Sequence, residues 1–381
     1  MIDQDAGTVA DDLYPPDRLV TAQRATAAAG LDALLVSPGS DLRYLTGYAA
    51  HVTERLTCLV LPAEGEPTLI VPRLERPLAE AAPAPRAGLR IVDHVDGVDP
   101  YSLVGQALAA GPVRTVGLGN QMWAEQVLAL RALLPAAEQR LAGTVIRELR
   151  MRKTPAEVAA LRAAGAAIDA VHRRMAEWLR PGRTERAVAA DISTAIVAEG
   201  HADAAFAIVA SGPNAASPHH VASDRVIESG DPVVVDIGGV MASGYCSDST
   251  RTYLVGGPAP AGFLEYYDAL FEAQRAAVAA VRPGATCESI DAVARDLLTA
   301  AGHGDAFIHR TGHGIGLDGH EDPYIVAGNA LPLEPGMAFS VEPGVYLTGR
   351  HGARIEDIVV CTADGVERLN TGPTELVTLS L

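Results

Sequence analysis

One segment of this chain occurs twice. Residues 180–201 read RPGRTERAV…EGH and residues 282–303 read RPGATCESI…AGH, at a constant offset of 102 positions. Each copy has a turn, a threonine placed to cap a helix, a helical stretch and a Gly-His stop. Strands follow each copy, and those strands carry acids and histidines. Repetition of a supersecondary unit predicts a domain of two αβ halves related by a pseudo-twofold axis, with a site between them. Coincidence between two Ala-rich helices is the plain alternative. The shared RPGxT start and GH stop argue against it.

Ahead of the repeat, residues 17–135 alternate helices and strands. A helix over 17–29 leads to the apolar strand Ala33–Val36, and SPGSD (37–41) is a turn. LTCLVLP (56–62) and PTLIVP (67–72) read as a hairpin, and 89–95 and 113–119 as further strands. This predicts an α/β layer domain over 1–145, with neither GxGxxG nor a phosphate-binding loop. The strand pattern stops within 136–153. A helix then starts with Thr154 as N-cap, Pro155 in its first turn and Glu157 as capping-box partner, and it should run to about Leu179. It opens a second domain, 150–381.

A net charge of −17 argues against nucleic acid and anionic membranes as partners. No run approaches the roughly 18 apolar residues needed to span a bilayer. The acidic start MIDQDAGTVADD has no apolar core and does not read as a signal peptide. Cys58, Cys246, Cys287 and Cys361 are scattered without metal-type spacing, which predicts buried, reduced thiols and a cytoplasmic location.

The chemistry concentrates in five short segments. VVVDIGG (233–239) places Asp236 in an apolar strand, where a carboxylate is costly unless paired or metallated. GYCSDSTRTY (244–253) returns as a hairpin strand, so Asp248 can face Asp236. HRTGHGIG (309–316) offers His313 among glycines that permit close backbone approach, with His309 four residues earlier and His320 seven later. SVEPGVY (340–346) and ARIEDIV (353–359) put Glu342 and Glu356 among apolar neighbours, with Arg354 a possible ion-pair partner. Four carboxylates and one imidazole match two divalent cations in charge. Cations acidify bound water, so the set points to hydrolysis. SPHHVAS (217–223) adds His219 and His220, one of which should face away. With His320 they are candidate donors to an oxyanion and a leaving nitrogen.

Taken in order, these motifs resemble the pita-bread metallopeptidases: proline dipeptidase, aminopeptidase P and methionine aminopeptidase. Residues 17–135 look like the creatinase/prolidase N-terminal domain, and 150–381 like the α+β pita-bread catalytic domain with its internal pseudo-twofold symmetry. Methionine aminopeptidase lacks the first domain and fits less well. The resemblance implies Asp236, Asp248, His313, Glu342 and Glu356 as ligands of two metals, with Asp248 and Glu356 bridging. It implies a metal-bridging hydroxide as nucleophile, Glu342 as proton carrier, and His219 and His320 as catalytic histidines. His309 and Arg354 would line the substrate pocket. Tyr324 follows HEDP, near where some dipeptidases carry a basic residue that reads the substrate carboxylate. Arg350 in YLTGRHG is a candidate replacement. The expected substrate is an Xaa-Pro dipeptide or a peptide N-terminus, the expected metal manganese ahead of cobalt, zinc or iron, and the expected assembly a homodimer. The alternatives are a metal-dependent lyase or a non-peptidase C–N hydrolase of the same fold, and a binding scaffold, which the intact ligand set disfavours. Asp236 and Asp248 are twelve residues apart, one more than the family pattern. The extra residue should lengthen the hairpin tip at 239–243 and leave the ligands in place.

Overall fold

The computed structural model describes residues 13–109 and 111–379, which cluster into two units, Met1–Arg150 and Met151–Leu381. In the first unit, short leucine- and valine-rich runs build a six-stranded sheet. Its strands are β1 (Ala33–Val36), β2 (Cys58–Pro62), β3 (Thr68–Pro72), β4 (Arg90–His94), β5 (Thr115–Leu118) and β6 (Glu138–Leu141), in the spatial order β4-β3-β2-β1-β5-β6. The β2–β3 hairpin is antiparallel, with Cys58 opposite Ile70, as its apolar runs predict. β1 and β2 lie in the sheet's interior and are buried at every position, which explains their unbroken apolar runs. β6 falls where the apolar pattern stops. It is a polar, mostly exposed edge strand held by parallel pairing to β5, so hydrophobicity does not reveal it. The helix Gly143–Met151 follows it.

The second unit opens with the expected helix. Thr154 accepts from the Glu157 amide at 3.3 Å and the Glu157 carboxylate accepts from the Thr154 amide at 2.7 Å, closing the capping box. The helix Pro155–Arg173 ends sooner than the sequence periodicity suggests. The chain tightens into a 3₁₀ turn, Met175–Glu177, and this turn still buries Met175, Trp178 and Leu179 in the core. The periodic apolar residues are therefore used, through a different backbone.

The repeat is real at the level of elements. Its copies form the helices Glu185–Ala198 and Cys287–Ala300, each of 14 residues, capped by Thr184 and Thr286. Both caps also form isolated antiparallel bridges, Thr184 with Val226 and Thr286 with Pro332. In the first half, helices Pro155–Arg173 and Glu185–Ala198 cover β7 (His201–Ser211), β8 (Asp231–Met241) and β9 (Ser249–Val255). In the second, helices Phe263–Ala280 and Cys287–Ala300 pack on a sheet built from β10 (Gly312–Gly314), β11 (Glu321–Ile325) and β12 (Ala338–Val341). After the hairpin β13 (Gly344–Leu347) and β14 (His351–Arg354), that sheet continues with β15 (Asp357–Cys361) and β16 (Val366–Arg368), in the order β11-β10-β12-β15-β16. β17 (Val377–Leu379) returns to pair in parallel with β9. Phe263, Tyr266 and Phe339 are fully buried in the second core, where truncating an aromatic ring costs about 3–5 kcal/mol. These two helix-covered cores hold the strands that carry the ionisable cluster.

Candidate metal centre

Asp236 sits in the middle of β8, opposite Ile208 on β7 and Thr250 on β9. Asp248 immediately precedes β9, His313 is the central residue of β10, Glu342 follows β12, and Glu356 lies between β14 and β15. Asp236, Asp248, His313 and Glu356 are buried, and Glu342 is half-buried. Ligand atoms fall into three sets, each within 4.8 Å: Asp236, Asp248 and Glu356; His313, Glu342 and Glu356; Asp248, His313 and His320. Five segments spread over 120 residues thus converge.

The glycines beside His313 are steric necessities. A Cβ at Gly312 would lie 1.8 Å from the Ser340 carbonyl oxygen, and one at Gly314 would lie 2.2 Å from that of Asp322. β10 is therefore wedged between β11 and β12 at a separation only glycine tolerates. The imidazole is then fixed from both ends: the His313 amide donates to Ser340 Oγ at 3.0 Å, and Nδ1 contacts the Gly314 carbonyl at 3.1 Å. Nε2 is left facing Glu342 Oε1 at 3.3 Å and Asp248 Oδ2 at 3.8 Å. Burial lowers the His313 pKa to about 4, so the ring is neutral and its nitrogen available as a ligand.

The acids are strained electrostatically. Burial, then the charges of Glu356, Asp236 and Glu342, push Asp248 well above the usual carboxylate range, against the pull of Arg354. Burial and the charges of Glu342 and Asp236 raise Glu356 in the same way, although Thr250 Oγ1 donates to its Oε2 at 2.7 Å. Asp236 Oδ2 accepts from Arg354 Nη2 at 2.5 Å, while Oδ1 is buried with no hydrogen-bond partner among the described residues. An orphaned carboxylate oxygen among mutually repelling acids and a neutral imidazole is the donor set a divalent cation neutralises. The residues fit that role.

Around the cluster is a cavity of about 760 Å³, lined also by His219, His309, Arg310, His320, Arg354 and the apolar Phe206, Ile208 and Ile308. His219 lies in a turn, and His220 follows it and diverges, as expected of neighbours. His219 lines the cavity, and His220 Nε2 turns to Glu185 Oε2 at 2.7 Å. His320 lies against His313, its ring tilted by 35° with centroids 3.8 Å apart, and accepts from Arg310 Nη2 at Nδ1, 3.0 Å. Burial, then His313 and Arg310, lowers its pKa to about 4. His309 contacts the Tyr346 hydroxyl at 2.9 Å, and burial lowers its pKa as well. Burial opposes the charge of Arg354, but Tyr346, Asp236 and the two glutamates keep it protonated.

Two candidates lie elsewhere. Tyr324, on β11, stacks under the Arg310 guanidinium at 4.6 Å and does not line the cavity. Arg350 is exposed on the β13–β14 turn and donates to the Ala261 carbonyl at 3.3 Å. Sequence reasoning passed over three side chains that the structure brings in. Arg310 reaches the cavity from within HRTGHGIG. Tyr346 ties His309 to Arg354, accepting from Arg354 Nη1 at 2.8 Å. Arg251 pairs with Asp357 at 2.7 Å and also donates to the Glu356 carbonyl, bracing the segment that carries that candidate ligand. The only sequence signal was a charged residue directly beside a candidate ligand acid in ARIEDIV.

Comparison with known proteins agrees with this architecture. Residues 159–363 match metallopeptidase family M24, and residues 18–152 match the creatinase/prolidase N-terminal domain. The chain is 55% identical over 360 residues to the probable dipeptidase PepE of Mycobacterium tuberculosis, covering 94% of this chain and 95% of that protein. It is 37% identical to the Xaa-Pro dipeptidase of Lactobacillus helveticus, covering 88% and 91%. The crystal structure of dipeptidase PepE from Mycobacterium ulcerans superimposes with a TM-score of 0.91 at 54% identity, over 99% of both chains.

Proposed function

Because this chain belongs to metallopeptidase family M24, we propose that it is a dipeptidase that hydrolyses Xaa-Pro using two divalent cations. The observation that carries the reading is Asp236 Oδ1, buried and unpartnered at the centre of the convergent acids. Asp236, Asp248, His313, Glu342 and Glu356 would hold the cations, manganese foremost. Asp248, His313 and Glu356 each belong to two of the three ligand sets, and of these only the two carboxylates have a second oxygen to offer another cation, which supports their being shared. Bound there, the cations would supply Lewis acidity to the scissile carbonyl and acidify an attacking water.

The remaining work falls to side chains. Glu342 takes the water's proton at its carboxylate and delivers it to the leaving nitrogen. Because Arg310 donates to Nδ1 of neutral His320, that ring carries its proton on Nε2. His320 and His219 thus serve as donors to the developing oxyanion. Arg310 has no carboxylate within ion-pair distance among the described residues, and it is assigned the C-terminal carboxylate of the substrate. That assignment, made in preference to Arg350 or Tyr324, favours a dipeptide over a longer peptide. Phe206, Ile208 and Ile308 offer an uncharged wall suited to apolar substrate side chains. A homodimer is the proposed assembly.

The test is incubation of manganese-loaded protein with Ala-Pro, Ala-Pro-Ala and Ala-Ala-Pro, with products identified by mass. Cleavage of Ala-Pro alone is expected. Release of alanine from Ala-Pro-Ala would replace the dipeptidase by an aminopeptidase. Inertness towards all three, with two metals bound, would sink the peptidase reading in favour of a lyase or another C–N hydrolase.

A further inference from the structure

Glu185, the first residue of the helix Glu185–Ala198, is completely buried, yet among the described residues its only ion-pair contact is the histidine His220, with no partner of fixed charge. Six donors converge on its carboxylate. Oε1 accepts from the Ser211 amide at 2.7 Å, from Ser211 Oγ at 2.7 Å and from Asn214 Nδ2 at 3.0 Å. Oε2 accepts from His220 Nε2 at 2.7 Å, from the Ser223 amide at 3.0 Å and from Ser223 Oγ at 2.6 Å. All of these donors lie between Ser211, the last residue of β7, and Ser223, in a segment whose turn at Pro218 and His219 lines the cavity. Burial opposes the charge on Glu185, but the bonds from Ser223, Ser211 and Asn214 outweigh it and hold the carboxyl at about 2. The helix N-terminus adds to that preference for the anion.

We infer that Glu185 is a positioning residue, which holds the segment 211–223 in the shape that presents His219 to the cavity. Only a carboxylate is an acceptor at both oxygens. A glutamine of the same size would turn an N–H towards Ser223 and His220, or towards Ser211 and Asn214, and would break one side of the cage. The geometry divides the two histidines by role: His220 is an anchor to Glu185, and its neighbour is freed to face the substrate. The far side of the turn is held independently, since Arg354 Nη1 reaches the Pro218 carbonyl at 3.4 Å.

The second repeat helix does the same job from a different position. Asp291, buried on the helix Cys287–Ala300, accepts from the Thr311 amide at 3.1 Å and Thr311 Oγ1 at 2.8 Å. It also pairs with Arg295, whose Nη2 donates to the His309 carbonyl at 2.9 Å. Each repeat helix therefore uses one buried carboxylate to pin a segment that carries a cavity histidine. Asp291 aligns with Ala189 and Glu185 with Cys287 under the 102-residue offset, so the two anchors are not copies of one repeat position.

The kinetic part of this inference rests on the peptidase reading; the anchoring does not. The test compares full-length Glu185→Gln, Ser223→Ala, His219→Ala and the corresponding double variants, by Ala-Pro kinetics and by amide hydrogen exchange. Glu185→Gln is expected to lower kcat on the order of 10- to 100-fold with a smaller change in KM. Exchange should rise over 211–223 and stay constant over the helix Phe263–Ala280. In the His219→Ala background the same substitution should cost less than about twofold, because the residue it positions is already gone. Equal losses in both backgrounds, unchanged kcat and exchange, or faster exchange spread over the helix Phe263–Ala280 would overturn the inference. If Glu185→Gln does not fold, Ser223→Ala in the two backgrounds makes the same decision, with a smaller loss expected. If the wild type cleaves no dipeptide, exchange decides alone: a rise confined to 211–223 sustains the anchor while the peptidase reading falls.

Discussion

Asp236 gives one oxygen to an arginine, while the other is buried with no hydrogen-bond partner among the described residues. Asp236→Asn keeps the shape but halves the acceptor capacity and removes a charge. It should reduce bound divalent metal from two ions per chain towards one and lower kcat by at least about 100-fold. Elemental analysis of dialysed protein checks the first effect, and two metals retained at full occupancy would remove Asp236 from the ligand set. His172 tests burial of a different kind. Its ring lies between the Tyr253 hydroxyl at 2.9 Å and the Ser249 carbonyl at 3.2 Å. Burial, then the Arg251 charge, lowers its pKa to about 3. The folded value lies below the unfolded one, so its stabilisation is intact above pH ~6.5 and is lost as pH falls towards the folded pKa. Between pH 6.5 and pH 5 that loss is about 2 kcal/mol. His172→Gln should flatten this part of the stability profile in urea titrations; an unaltered slope would show that His172 does not titrate in that range.

At the scale of elements, the repeated helices are stabilised by repeated chemistry. Thr184 and Thr286 each accept a hydrogen bond from the amide three residues on, so alanine at either position should cost about 1 kcal/mol. The urea midpoint should fall with no change in m-value. β10 is less forgiving. Gly312→Ala would drive a methyl group into the Ser340 carbonyl and prise β10 from β12, which displaces His313 by the same movement. We expect this variant to lose metal binding while keeping most of its helical circular dichroism. Tight binding in Gly312→Ala would show that the strand separation can relax.

For the molecule as a whole, metal and protons compete for the same relief. Burial and mutual repulsion raise Asp248 and Glu356, so in metal-free protein the folded state prefers their protonated forms. Their contribution to stability is then present at low pH and lost as pH rises through the raised pKa. Cations that bind only the folded chain stabilise it by mass action. The thermal midpoint should therefore drop on chelation at pH 8, and the gap between metal-free and manganese-loaded protein should narrow as pH is lowered. Differential scanning calorimetry at three pH values measures that gap; a gap independent of pH would mean that the acids are not the metal's site.

The convergence of Asp236, Asp248, His313, Glu342 and Glu356, the repeat, the first capping box and the β2–β3 hairpin were legible in the chain because each is written locally. A carboxylate in an apolar strand, a glycine-flanked histidine or a Thr-Pro-x-Glu start carries its physical reason within a few residues. β6 was not legible, since a polar edge strand is specified by the ladder of its neighbour. The end of the helix at Arg173 was not legible either, because the apolar spacing continues through a tighter turn. The partners of the site were further out of reach. Arg354 meets Asp236 across 118 positions and Thr250 meets Glu356 across 106, while Glu185 finds its six donors only when the strand after it folds back. Sequence by itself determined which groups need neutralising; the tertiary structure alone decided what neutralises them, because hydrogen bonds and charge pairs depend on ångström distances that no spacing along the chain encodes.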